Sequence, residues 1–441
     1  MKRIYLFSCV LGASLLLAAT TAFAAGFALQ EQSGRGLGQA FAGVTTGLGD
    51  GSSIFYNPGA MTLIDDPTLS FTGNIITTAT DFDDRGSTDG AGNPLAGGDG
   101  PDPGATSFVG NLYAVYPINE DIRAGFGINT PFGLATEYND QWVGRYQAVK
   151  SELVTINLNP AVSYDLSDQI SIGGGVTAMY ADATLTNAVD FGTIGVSQLG
   201  VPTASTLGLL PQQADGFADV EGDDWGVGFN LGVLLRPFDG TRLGIGYRSK
   251  VDLNLTGDAD FTVPANAQVL TSTGSFIDTT ANARVSLPET LSFGFSQEIT
   301  DDFILVGEAQ WNRWSRVNEI RISFDSAQAD SVETLNYEDN WRFALGGNYL
   351  MEEFVLRGGI SYEQTPVSKG FRTARIPDAD RWWFTAGVGW EVVEDIVLDV
   401  SYAWVHAINA DVDRTGSTGD TLVGSYQGNV NIVAVEVTAA L

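Results

Sequence analysis

Few residues in this 441-residue chain could make or break bonds. It has one histidine, His406, and one cysteine, Cys9. His406 shares the parity of Tyr402 and Trp404 in SYAWVHAINA. A lone histidine without cysteines makes no zinc site, and its outward parity takes it from any nucleophile it would activate. No catalytic residue, metal site or cofactor is assigned. Asp81, Asp83, Asp84, Asp89, Asp99 and Asp102 crowd one glycine-rich stretch, but not in the order of a calcium loop, so they read as a solvated acidic loop. What remains is a set of charges opposite in parity to apolar runs: Arg123, Arg242, Arg248, Lys250, Asp252, Glu308, Arg342, Arg357, Glu363, Asp399 and Glu436. Such charges can brace one another or a plug, and one or two of the cations could receive a ligand carboxylate.

The elements that would position them alternate with a period of two. Ile122, Ala124, Phe126 and Ile128 alternate with Arg123, Gly125, Gly127 and Asn129. Trp225 to Leu235, Leu243 to Tyr247 and Trp382 to Trp390 behave alike. The segments run about ten to sixteen residues, whereas strands of soluble sandwiches average about five or six and a tilted membrane strand needs about nine to eleven. Aromatic residues gather near the segment ends, as interfacial girdles do. Lipid-facing Arg or Lys would cost about 2–4 kcal/mol at the bilayer midplane, which explains why the charges take the opposite face.

Composition agrees. Charged residues make up only 17% of the chain, yet the net charge is −31, which excludes a nucleic-acid partner that needs Lys and Arg for phosphate. Met1–Lys2–Arg3, an apolar run from Ile4 to Ala19 and Ala22–Phe23–Ala24 form an export signal with its cleavage site, so the mature chain is expected to start at Ala25 without a cysteine. No later segment has the 18 to 20 continuous apolar residues of a membrane helix.

Turn spacing gives a count. Strands are expected near 68–80, 106–117, 121–131, 150–166, 169–182, 225–238, 241–256, 281–298, 302–325, 338–351, 354–365, 381–393, 396–410 and 429–441, with 302–325 divisible in two. Short and long connections alternate between them. The predicted fold is all-β: a fourteen-stranded antiparallel transmembrane β-barrel, its short turns in the periplasm and its long loops outside. The chain divides into a signal at 1–24, an N-terminal hatch, or plug, inside the lumen at 25–66 and a barrel at 67–441. The last strand ends on Leu441 rather than the aromatic residue common in such barrels.

The segment before the first strand fits no strand or helix period. GSSIFYNPGAM (Gly51 to Met61) would be intolerable against lipid, where unpaired backbone is costly, but acceptable inside a polar lumen. Asn57, Pro58 and Gly59 form turns, and Ile54, Phe55, Tyr56 and Met61 can pack among them.

Several blocks carry a resemblance. AGFALQEQSGRGLGQAFAG (Ala25 to Gly43), NPGAMT (Asn57 to Thr62, with Gly59 where the family has Ala), Thr130 to Tyr164, Gly222 to Pro237, Thr241 to Ser249 and RIPDADRWW (Arg375 to Trp383) together resemble the FadL/TodX family of outer-membrane transporters for long-chain fatty acids and other hydrophobic compounds. The resemblance spans the mature chain and implies a fourteen-stranded barrel with a hatch. It also implies capture in an apolar groove among the outer loops, passage to a pocket near the mature N-terminus, and lateral exit where the third strand kinks. Residue by residue, Ala25, Gly26, Phe27, Asn57, Pro58 and Gly59 would form the gating hatch. Gly125, Gly127 and Pro131 would weaken the third strand at the lateral opening. Leu199, Val201, Leu207, Leu209, Leu210, Phe261 and Val263 would line the capture groove.

The expected protein is a passive importer of hydrophobic compounds in the outer membrane of a Gram-negative bacterium. Its partners would be a hydrophobic small molecule, outer-membrane lipid and lipopolysaccharide, and it would act as a monomer. Long-chain fatty acids are the first substrate class. An aromatic or alkane hydrocarbon channel, a structural or adhesive barrel with a shut plug, and a general porin are the alternatives. A fatty acid needs a cation or donor for its carboxylate; a hydrocarbon does not.

Overall fold

In the computed structural model, which describes residues 26–100, 102–104, 106–408 and 410–441, one antiparallel sheet winds round and closes on itself. The first strand (Thr68–Asp84) pairs with the second (Thr106–Pro117) on one side and with the last (Thr421–Ala440) on the other. Closure leaves no free sheet edge facing the lipid. Fourteen strands make the circuit, as the turn spacing predicts.

Several of them run in two pieces, including the tenth (Ser331–Thr334 then Asn340–Leu350) and the thirteenth (Ile396–Ala407 then Ala410–Thr415). The third is Ile122–Asn129 then Gly133–Glu137, and the seventh Thr241–Arg248 then Val251–Thr262. The eighth is Thr279–Leu287 then Thr290–Thr300. The ninth is Phe303–Asn312 then Glu319–Phe324, so 302–325 is one crossing interrupted by a 3-10 turn at Trp314–Arg316.

At these breaks the wall changes character. Low in the seventh strand, Leu243 and Ile245 are exposed while Gly244 and Gly246 are buried. The chain then slips at Ser249–Lys250, and Val251, Leu253 and Leu255 are buried inside while Asp252, Asn254 and Thr256 are exposed. A one-residue slip turns every following side chain to the other face. The eighth strand shows Phe293 and Phe295 outside below Pro288–Glu289, but Leu287 and Ala281 inside and Arg284 outside above it. The ninth resumes with Ile322 buried and Glu319 and Arg321 exposed. Below the breaks this sector is apolar outside and polar within; above them it is the reverse. Lys250 and Asp252, expected on the inner face, are therefore corrected to the outer one, where they pair at 2.5 Å with about half of each side chain exposed.

Residues 26–67 fold inside the barrel. They form short helices at Gly34–Gly38 and Ser53–Tyr56 and 3-10 turns at Val44–Thr46 and Pro58–Leu63. Their backbone lies directly on inward glycines. A Cβ at Gly173 would sit 2.4 Å from the Pro58 carbonyl carbon, and one at Gly246 would sit 2.1 Å from the Tyr56 oxygen. Polar wall residues complete the hydrogen bonding of this irregular backbone. Asn74 and Asn111 donate to the Glu31 carbonyl at 3.0 and 2.8 Å, Asn230 to Ile54 at 2.6 Å, and Arg123 to Ile64 at 2.9 Å. The Gly34 amide donates to Glu436 at 2.7 Å, and Asp399 pairs with Arg35 at 3.0 Å and with Arg357 at 2.5 Å. The lumen charges thus brace the plug and one another.

Candidate functional site

The long-loop end of the barrel, its mouth, holds a cavity of about 440 Å³. Its floor is Leu185, Val189, Ala218, Val220, Phe261, Phe276, Ile320, Ile322 and Phe324. One side is the helix Phe191–Leu199, capped by Asp190, whose side chain accepts from the Thr193 amide at 3.0 Å. Burial pushes the Asp190 carboxyl above its ordinary range, against the pull of the Thr193 and Gln212 hydrogen bonds. Arg375 and Glu333 supply the only charges on the cavity's lining among the described residues.

From this floor an apolar stripe runs inward. Ile320 and Ala283 belong both to the packing around Ile322 at the mouth and to a larger cluster of Met179, Ala181, Val251, Leu253, Leu255, Leu287, Trp314 and Phe27. The stripe exists because the upper pieces of the seventh, eighth and ninth strands turn their apolar faces inward. It ends at Phe27, which meets Trp314 edge-on at 4.8 Å. Beyond lies a narrow cavity of about 50 Å³, lined by Ala28, Leu29, Phe55, Tyr56, Pro131, Phe132, Met179, Val251 and Arg248 among others.

Arg248 is the one charged residue lining that cavity among the described residues. Its guanidinium stacks on the Phe55 ring at 3.9 Å and reaches two neutral oxygens, the Phe55 carbonyl at 3.3 Å and Asn159 Oδ1 at 3.4 Å. Arg35, Arg123, Arg357 and Arg381 by contrast each sit on a carboxylate.

The same cavity touches the break in the third strand. Asn129 still pairs with the fourth strand at Asn157, and Gly133 pairs with Val154 on the far side of the break. Between them the N-terminal segment stands in: Ala28 bridges Phe132, the Leu29 amide donates to the Pro131 carbonyl at 2.8 Å, and the Gly133 amide donates to the Phe27 carbonyl at 2.9 Å. Gln32 reaches the Thr130 carbonyl at 2.8 Å. The gap in the wall is thus stitched by the start of the hatch.

The residues named from sequence fall unevenly on this path. Gly26 and Phe27 lie at the inner end of the stripe, and the Gly26 amide donates to Asp378 at 3.1 Å. Ala25 and the signal at 1–24 lie outside the described residues. Asn57 Nδ2 donates to Thr45 and Val233 carbonyls at 2.6 and 2.9 Å and Oδ1 accepts from Gly59, so Asn57, Pro58 and Gly59 fix the hatch to the wall away from the cavity. Pro131 is at the break, but Gly125 and Gly127 are not. Both are paired on both sides, Gly125 with Val115 and Ala161 and Gly127 with Tyr113 and Asn159. They leave room for the hatch instead: a Cβ at Gly125 would lie 2.8 Å from Ile54 and Met61. Of the groove residues only Phe261 lines the mouth cavity. Leu209 is fully buried within the loop, with Leu199 and Val263 packed on the same cluster of Phe191, Ala204 and Leu270. Val201 and Leu207 are exposed, and Leu210 is half-buried off the cavity.

The loop aspartates spend their oxygens on backbone. Asp89 accepts from the Ala91 and Asn93 amides, each at 2.9 Å, and from Gln212 at 3.0 Å; Asp102 accepts from Thr80 and Gly104. Burial would raise the Asp89 carboxyl, but the Asn93 and Gln212 hydrogen bonds outweigh it and hold it low. His406 is exposed, shares a hydrogen bond with Asn429 and stacks on Trp404 at the membrane edge.

A closed barrel with an apolar outer band, an internal plug and a greasy inner stripe defines an outer-membrane transport barrel. The chain belongs to the family described as outer membrane protein transport protein (OMPP1/FadL/TodX), whose model matches residues 15–441. It is 31% identical over 407 residues to the long-chain fatty acid transport protein of Escherichia coli O6:H1, covering 90% of each chain. It is 30% identical over 433 residues to outer membrane protein P1 of Haemophilus influenzae, covering 93% of this chain and 92% of that one. Among solved structures, a Pseudomonas aeruginosa FadL homologue superposes with a TM-score of 0.86 at 23% identity, over 94% of this chain and 100% of the other. The Pseudomonas putida toluene transporter TodX gives 0.68 at 16%, over 95% and 100%. The protein is an outer-membrane protein of a Gram-negative bacterium, in a family of transport proteins and channels.

Proposed function

We propose that this barrel imports long-chain fatty acids by passive diffusion. Ligand collects in the mouth cavity, slides along the stripe under Phe27, docks with its carboxylate on Arg248, and leaves sideways through the Thr130–Phe132 gap when residues 27–29 withdraw. Each methylene buried along the stripe contributes about 0.8 kcal/mol, so a long chain prefers this wall to a watery pore. The observation that carries the substrate class is Arg248, a cation without a carboxylate partner among the described residues, at the end of an apolar path. A hydrocarbon has no use for it. The similarity to a protein named for long-chain fatty acid transport supports the same reading.

The test is mass spectrometry of molecules retained by the protein purified in mild detergent, beside an Arg248→Met variant. Long-chain acids held by the natural protein and lost from the variant are expected. Retained alkanes or aromatics would replace the reading with a hydrocarbon channel, and nothing retained by either would favour a shut structural barrel.

A further inference from the structure

The mouth cavity combines an apolar floor, neutral polar side chains such as Asn187, Ser197, Gln198 and Gln328, and a single ion pair, and the geometry of that pair is unequal. Arg375 is 91% buried and pinned. One terminal nitrogen donates to the Lys150 and Thr186 carbonyls at 3.2 Å each and to Ser151 Oγ at 3.1 Å, and the other to Asn187 Oδ1 at 3.2 Å. That leaves Nε to face Glu333 at a long 3.5 Å. Glu333 sits on the short strand Ser331–Thr334, about a quarter of its side chain is exposed, and Arg375 is its one ion-pair partner among the described residues. Nearby acids are engaged elsewhere: Asp215 pairs with Arg145 at 2.9 Å and accepts from Tyr146 at 2.8 Å, and Asp190 caps its helix.

A fixed cation, a loosely held carboxylate that can swing to water, and Phe261, Phe276 and Ile322 beside them make a site where one carboxylate can replace another. We propose that the Arg375–Glu333 pair is an exchange filter at the mouth, in which a ligand carboxylate takes Glu333's place on Arg375 while its chain lies on the apolar floor. Glu333 then moves out to solvent, so no charge is left buried and unpaired. A neutral hydrocarbon or ester meets the pair closed and gains only the apolar floor. The filter rests on the fatty-acid reading and adds a second recognition step to it, in a different cavity from Arg248.

The test uses the full barrel in lipid nanodiscs, in an Arg248→Met background that silences the inner cation, with oleate and methyl oleate as probes. Glu333→Gln removes the competing charge while keeping size and shape. It is expected to tighten oleate binding about two- to fivefold, the range of a partly exposed ion pair, with methyl oleate unchanged. Arg375→Gln is expected to weaken oleate alone. Because Arg375 also ties the loop to the strands, the Glu333 variant is the deciding one. Equal shifts for acid and ester, no shift for either, or no oleate binding in this background when the Arg248 form binds it, would each overturn the filter. A protein that binds no oleate with Arg248 in place would overturn the fatty-acid reading itself.

Discussion

Gly125 shows how a residue's part can be mistaken from sequence. In an alternating strand a glycine reads as a weak point, because it has no side chain to pack. Here the ladder through Gly125 is intact, and the missing side chain is space that Ile54 and Met61 occupy. Gly125→Val should therefore leave the third strand in place and push the hatch off its seat, at about the 1–3 kcal/mol typical of overpacking. Limited proteolysis should find faster cleavage within residues 50–62 and an unchanged barrel band; a hatch as resistant as the natural one would contradict this role. Gly59 follows the same logic. A Cβ there would lie 2.9 Å from the Gly232 carbonyl oxygen, so glycine lets hatch and wall approach closely. The charged residues were more legible. Parity alone puts Arg123, Glu308, Arg342, Glu363, Asp399 and Glu436 inside, because a membrane wall forbids the alternative, and they are buried there.

Strands were legible because their signal is local: a period of two between turns recurs every crossing. The breaks were harder. Val251–Asp–Leu–Asn–Leu alternates as cleanly as Leu243–Gly–Ile–Gly–Tyr, with apolar residues on odd positions and Arg242, Arg248 and Asp252 on even ones throughout, so the one-residue slip that inverts the faces leaves no mark in the pattern. The lining of the mouth cavity was harder to read for a related reason. Apolar loop residues such as Leu209 serve the loop's own packing, while the cavity floor comes from strand ends far apart in sequence, such as Leu185, Val220 and Ile322. The third-strand break is the element with most at stake, since residues 27–29 hold it shut. Replacing both Ala28 and Phe132 by cysteine tests this without interference, as residues 26–441 contain no cysteine. Bridged partners sit at a separation a disulfide can span. Oxidation should stop oleate uptake and reductant should restore it, with either single variant insensitive to both. Full uptake by the cross-linked protein would exclude exit through this gap.

At the scale of the molecule, hatch and barrel depend on each other unequally. The barrel closes through its own ladder, from Thr68↔Ala440 round to the last pair, and its outer band is anchored by exposed aromatic residues that never touch the hatch. The hatch has no comparable core; its irregular backbone is completed by Asn74, Asn111, Asn230 and Arg123 on the wall. Removing residues 26–65 should therefore leave a folded barrel. The lumen groups that lose partners, Glu436 among them, would then face water rather than an apolar void, which spares them the penalty of buried unpaired charge. What goes is the seal. The hatch rests on inward glycines such as Gly173 and Gly246, so its departure uncovers a lumen lined by backbone and small polar side chains. The deletion should insert into planar bilayers as a conducting pore, keep the gel shift of a folded barrel on heating, and lose selective uptake of oleate as the pocket around Phe27 and Ala28 disappears. Conductance as low as that of the intact protein would show that something other than the hatch closes the pore. The inner stripe predicts a residual behaviour: its apolar face belongs to the strands, so the deleted barrel should still bind hydrophobic probes at the mouth while failing to retain them below it.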